Sequence, residues 1–142
     1  FPTSDEVLTL PIFDLPDAAP GLLRMRPTDA AIVMTHSFDQ DSRILASIES
    51  LEPVPAYLGV LGPQRRTREL LAEAARLLGH EATTEAIERR LAKLHAPTGL
   101  DLGGEAPAAV ALSILAEIQQ VLAAATAQPL REVRGEKSAA VL

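Results

Sequence analysis

The sequence predicts an α/β fold: a parallel sheet with helices on both faces. Three observations carry this. Residues 30–34 and 56–61 are continuously apolar, without the alternation of a half-exposed strand, as expected of strands covered on both sides. An amphipathic helical pattern follows each of them, and a strand, helix, strand order implies right-handed crossovers and parallel pairing. The 142 residues are 47% hydrophobic and 23% charged, enough apolar matter for one core.

From the amino end, Val7, Leu8, Thr9 and Leu10 form a short β-favouring run stopped by Pro11. Pro11, Pro16, Pro20, Gly21 and Pro27 make 11–29 a loop, with one helical turn at 17–24. The strand at 30–34 ends in a polar burst, Thr35 through Asp41. Residues 40–51 place Ile44, Leu45, Ile48 and Leu51 on one helical face, and Pro53 and Pro55 break that helix. After the strand at 56–61, Gly62 and Pro63 open a helix to about Leu78. Pro63 suits its first position, Leu70, Leu71, Ala74, Leu77 and Leu78 form its stripe, and Gly79 ends it. A helix over about 84–93 takes Thr83 or Thr84 as N-cap and turns Ile87, Leu91 and Leu94 inward. A short extended piece at 95–97 and a glycine-rich turn at 99–104 lead to the last helix, about 105–125. There Val110, Ile114, Ile118 and Val121 or Leu122 mark the buried side, and Ser113, Glu117 and Gln120 the opposite one. Residues 1–127 thus read as one domain and 128–142 as a loose polar tail.

Composition narrows the function. A net charge of −6 and a pI near 5.0 argue against a nucleic-acid surface, because phosphates repel it. The chain has no cysteine, which removes disulfides, thiolate zinc sites and a cysteine nucleophile from it. No run approaches the ~18 apolar residues of a membrane helix. The start shows no secretion signal, since Asp5 and Glu6 stand where basic residues would be, so a cytoplasmic location is expected. His36, His80 and His95 have no short metal-ligand spacing. G-x-G-x-x-G, G-x-x-x-x-G-K-[ST] and G-x-S-x-G are all missing, and no catalytic residue is assigned.

Ligands of an open parallel sheet bind beyond the carboxyl ends of its strands, and three polar or glycine-rich segments fall there. The first is Thr35 and His36, where the histidine either closes the strand end or meets a ligand. The second is Gly59 and Gly62 with Arg65, Arg66 and Arg68, at a helix start whose free N–H groups favour anions. Arg65 is the expected phosphate partner; solvated arginines beside a tight turn are the other reading. The third is His95, Gly99, Asp101, Gly103 and Glu105. Its glycines permit unusual backbone or close ligand approach, while the two acids suit a helix amino end.

Together these segments resemble the C-terminal Rossmann-like domain of the XdhC/CoxI family, the xanthine dehydrogenase accessory proteins. The resemblance rests on Thr35-His36 after an apolar strand, on Tyr57 to Gly62 before an arginine-bearing helix, and above all on Leu94 to Ile118. His95 to Pro107 is similar to the family's HAPIGLDIGAETP and Ala111 to Ile118 to its ALSILAEI. The resemblance covers roughly 1–122. Ser37 replaces the family's usual Asp, and Pro63 and Gln64 replace a Ser-Arg or Ser-Lys pair, which removes a hydroxyl and a cation from the Gly62 corner.

The resemblance implies that the first strand–helix–strand unit, with its glycine-rich turn, lies upstream of Phe1. Without it, unpaired edges would make residues 1–142 alone associate or aggregate. It implies a maturation factor that binds molybdenum cofactor and helps insert it, after sulfuration, into molybdenum hydroxylases such as xanthine dehydrogenase. The expected partners are that client and the cofactor-sulfurating enzyme. The family is not established as an enzyme, so a non-catalytic role is expected. The cofactor contacts would be Thr35, His36, Gly59, Gly62, Arg65, His95, Gly99, Asp101, Gly103 and Glu105. Two other readings stand beside it. One is half of an NAD- or NADP-dependent oxidoreductase, which needs a glycine fingerprint this chain lacks. The other is an interaction module that pairs with a partner or a second copy through the alanine-rich last helix.

Overall fold

A computed structural model of the chain describes residues 23–135. The strand expected at 7–10, most of the helical turn at 17–24 and the end of the tail lie outside them. The elements are β1 (Ala30–Val33), α1 (Phe38–Glu49), β2 (Tyr57–Val60), α2 (Gln64–Leu77), α3 (Thr84–Leu91), α4 (Pro107–Leu122) and α5 (Leu130–Val133). This is the expected α/β order. The described residues fall into two compact units, divided between Thr98 and Gly99.

In the first unit β1 and β2 pair in parallel, Ala30 against Tyr57 through Val33 against Val60. The other edge of β2 meets the extended piece expected at 95–97. His95 donates its N–H to the Leu58 carbonyl (2.9 Å), and its own carbonyl accepts the Val60 N–H (3.0 Å). With a neighbour on each edge, all four residues of β2 are buried. Val33, Leu45, Val60, Leu70 and Ala74 form the centre of the core, and α1 packs against α2.

Local chemistry sets the helix starts. Ser37 caps α1, its hydroxyl accepting the Gln40 N–H at 3.3 Å, and Thr83 caps α3 through the Ala86 N–H at 3.2 Å. Pro63 stands one place earlier than expected. Its ψ of 151° is extended, so it is the N-cap of α2 and not the first helical residue. Charged contacts then tie the helices together. The Arg90 guanidinium of α3 grips the Glu49 carboxylate of α1 and donates to the Leu71 carbonyl of α2 at 3.1 Å. Arg68 of α2 pairs with Glu88 of α3 at 2.6 Å.

In the second unit α4 keeps its expected inner side and departs from expectation on the opposite one. Ile114 is buried and Val110, Ile118 and Val121 are half-buried, but Leu122 is exposed, as are Leu112 and Leu115. Ser113 and Glu117, expected on the open side, instead hold the glycine-rich turn. Nearly every residue of this helix is apolar or small, so its period marks only a shallow difference between faces. The tail carries one short exposed helix, α5.

Candidate functional site

β1 and β2 end side by side, with the Leu61 N–H donating to the Val33 carbonyl at 3.0 Å. The chain leaves β1 through Met34, Thr35 and His36 and leaves β2 through Leu61, Gly62 and Pro63. Between these exits lies a cleft of about 270 Å³ lined by Met34, His36, Asp41, Gly62, Pro63 and Arg66, with Leu61 at its wall.

Two backbone features shape its rim. His36 has φ +65°, a left-handed conformation uncommon for a side-chain-bearing residue. Gly62 has φ +114°, which glycine tolerates and other residues do not. Such departures gather at functional sites when the surroundings hold them in place.

Asp41 supplies that hold. Its side chain is 1% exposed, and it accepts three hydrogen bonds. The Thr35 hydroxyl donates at 2.6 Å, the Thr35 N–H at 3.0 Å, and Arg66 Nη2 at 2.7 Å. The Thr35 hydroxyl in turn accepts the Ser37 N–H at 3.2 Å. One carboxylate therefore fixes both residues flanking His36 and the guanidinium across the cleft. Burial alone would raise the Asp41 pKa. The bonds from Thr35 and Arg66 outweigh it and hold the carboxyl below its ordinary 3.8, so Asp41 is an anion. Arg66 keeps a quarter of its side chain exposed, and its remaining N–H groups have no partner among the described residues.

The expected site residues thus separate. Thr35, His36 and Gly62 stand at this cleft. Arg65 is exposed and does not line it; the adjacent Arg66 does. Gly59 and His95 come together away from the cleft, where the half-buried His95 bridges to Gly59 of β2. The His95 ring stacks on Tyr57, centroids 4.3 Å apart, and the Tyr57 hydroxyl meets Thr98 Oγ1 at 2.5 Å. A Cβ on Gly59 would lie 2.5 Å from that same oxygen and 2.8 Å from Tyr57 Cε1. Glycine is required here by packing.

Gly99, Asp101, Gly103 and Glu105 belong to the second unit. Gly99, at φ +113°, donates its N–H to Glu117 Oε2 at 2.7 Å. Leu100 donates its N–H to the Ser113 carbonyl at 3.1 Å, and the Ser113 hydroxyl donates to the Leu100 carbonyl. Gly103 and Gly104 also have positive φ, and Asp101 and Glu105 are exposed. Among the described residues no group of three or more His, Asp or Glu side chains is placed to hold a metal ion. No helix among them is long and apolar enough to cross a membrane.

Sequence reasoning missed Asp41, and it named Arg66 but gave the phosphate to its neighbour Arg65. Asp41 sits in the first turn of α1, where an acid is ordinarily explained by the helix dipole. Arg66 had a readable signal: four residues before Leu70, it continues the apolar stripe of α2, whereas Arg65 lies off that stripe.

A parallel pair joined by a helical crossover, with a cleft carrying His36, Asp41 and Arg66 at its carboxyl end, is the unit from which Rossmann-type α/β domains are built. A family model described as the XdhC Rossmann domain matches residues 1–118. The chain belongs to the XdhC family. It is 33% identical over 121 residues to the uncharacterized protein YqeB of Escherichia coli (strain K12), covering 85% of this chain and 20% of that protein. It is 30% identical over 120 residues to a protein of Bacillus subtilis (strain 168) named as a probable subunit of xanthine dehydrogenase, covering 84% of this chain and 30% of that protein. The chain therefore spans less than a third of the length of either relative.

Proposed function

We propose that this chain is part of an accessory factor for molybdenum hydroxylases of the xanthine dehydrogenase type, and that its strand-end cleft receives the anionic end of molybdenum cofactor. Family membership supports the accessory role, and the name of the Bacillus subtilis relative supports the link to xanthine dehydrogenase. Arg66 supports the cofactor: a half-shielded guanidinium, aimed by an ionised Asp41, beside Gly62 and the uncapped amino end of α2. Arginine's planar fork suits phosphate, and free N–H groups at a helix start add to it.

The cleft fits one end of the cofactor only. About 270 Å³ falls below the ~300–1,000 Å³ of pockets that enclose a whole small ligand. The cofactor, when bound, would supply the redox-active centre destined for the client enzyme. Arg66 would pair with its phosphate, and the Gly62 backbone would allow close approach. His36, held by Thr35 and Asp41, would donate or accept one hydrogen bond. A client hydroxylase and a cofactor-sulfurating enzyme, met in the cytoplasm, are the partners this reading requires.

The experiment is to purify the full-length protein from cells making molybdenum cofactor and assay its pterin and molybdenum. Cofactor should copurify, Arg66→Ala should lose most of it, and Arg65→Ala should retain it. Undetectable cofactor on the wild-type protein, with normal maturation of the client in cells lacking the factor, sinks the reading.

A further inference from the structure

At the opposite, amino end of β2 lies a second and larger cavity, of about 420 Å³. We propose that it binds a small amphipathic carboxylate, with its apolar body on the cavity floor and its anionic head at the rim. This site is separate from the strand-end cleft and does not depend on it.

The floor is apolar. Ile48 of α1, Leu58 of β2, and Leu78 and Leu94 close it, with Val54 at the entrance. Its volume lies within the range of small-ligand pockets, and a mostly apolar lining with a few polar groups is their usual make-up. The rim carries four ionisable groups, Glu49, His80, Arg90 and Lys93.

Charge decides which end of a ligand stays at the rim. Glu49 and Arg90 neutralise each other, and Arg90 is further held by the Leu71 carbonyl. An ammonium ligand would have to break that pair to reach Glu49, leaving a partly buried guanidinium without its anion. Lys93 and His80 are exposed, and their side chains have no partner among the described residues. They are therefore the available groups: the lysine offers an ammonium and the histidine an N–H donor, and each suits an anion. One lysine and one histidine over an apolar floor match a monoanion with a hydrocarbon body better than a phosphate dianion, which needs more donors than the rim offers.

The test uses the full-length protein and octanoate as the probe. A diazirine-bearing octanoate should crosslink to peptides containing Val54, Leu78 or Leu94, and octanoate should compete at least tenfold better than octylamine. Lys93→Glu should weaken competition about tenfold. Val54→Asp should abolish labelling, because it sets a carboxylate at the entrance against an anionic probe; Val54 is 56% exposed, so the fold tolerates a polar residue there. Circular dichroism checks that both variants remain folded. Labelling elsewhere, equal competition by octylamine, or no labelling because another part of the chain covers the cavity, overturns the proposal. Copurification of molybdenum cofactor is read independently, so failure here leaves the strand-end reading standing.

Discussion

Replacing Asp41 by asparagine keeps the shape of the side chain and removes its charge. The Thr35 donors still find an oxygen, but the other branch becomes an NH₂ facing the Arg66 Nη2 that now lies 2.7 Å away. Hydrogen bonds to charged groups contribute about 1.5–3 kcal/mol, and removing one partner of a buried ion pair costs about 3–5 kcal/mol. Arg66 keeps 25% of its side chain in solvent, so the lower part of that range applies, about 3 kcal/mol. The assay is urea unfolding of wild type, Asp41→Asn, Arg66→Gln and the double variant. Because the two residues touch, the double variant should lose at least ~1 kcal/mol less than the sum of the singles. The effect also has a pH signature. The Asp41 carboxyl is held below its ordinary 3.8 in the folded chain, so its stabilisation is complete above about pH 4 and fades as pH falls through the lowered folded value. The gap between wild type and Asp41→Asn should therefore be constant near neutrality and narrow below pH 4. A cost under ~0.5 kcal/mol, strict additivity, or a gap that widens in acid refutes the reasoning.

Three further substitutions report on the packing. Gly59→Ala forces a Cβ to within 2.5 Å of Thr98 Oγ1 and should cost about 1–3 kcal/mol by thermal melting, with partial recovery in Gly59→Ala/Thr98→Ala. Thr67, buried in α2, has a hydroxyl with no partner among the described residues, so Thr67→Val should raise stability by about 1 kcal/mol in urea titration. Gly99→Ala meets both a φ of +113° and the Ser113 hydroxyl, and should cost about 1–3 kcal/mol by melting; adding Ser113→Ala relieves the contact but not the backbone.

Much of the fold was legible because its signals are local. The apolar runs around Ile32 and Leu58 could only be buried strands, and Ser37 and Thr83 announce their helices by cap chemistry. The site was legible as a place more than as a set of contacts. Its location follows from parallel topology, which puts Thr35, His36 and Gly62 at the strand ends. The choice of Arg66 over Arg65 follows from helix phase. Asp41 was not readable, because its function depends on Thr35 and Arg66 converging from six and 25 residues away. Gly59 and His95 stand apart from the cleft for a related reason. Glycine and histidine near strand ends suggest a ligand, but here a tyrosine ring and a threonine hydroxyl fill the space. On α4, Ser113 and Glu117 look like a solvent face until the turn at Gly99 folds back onto them.

The contact of Gly59 with Thr98 also constrains how lineages of this family can diverge. A side chain at position 59 collides with the Thr98 hydroxyl and crowds the Tyr57 ring, whereas a smaller residue at 98 removes the first collision and gives up only the hydrogen bond between Thr98 and the Tyr57 hydroxyl. Substitution at 98 is therefore the permissive step and substitution at 59 the contingent one. Ancestral reconstructions should show the change at 98 coming first wherever both have occurred.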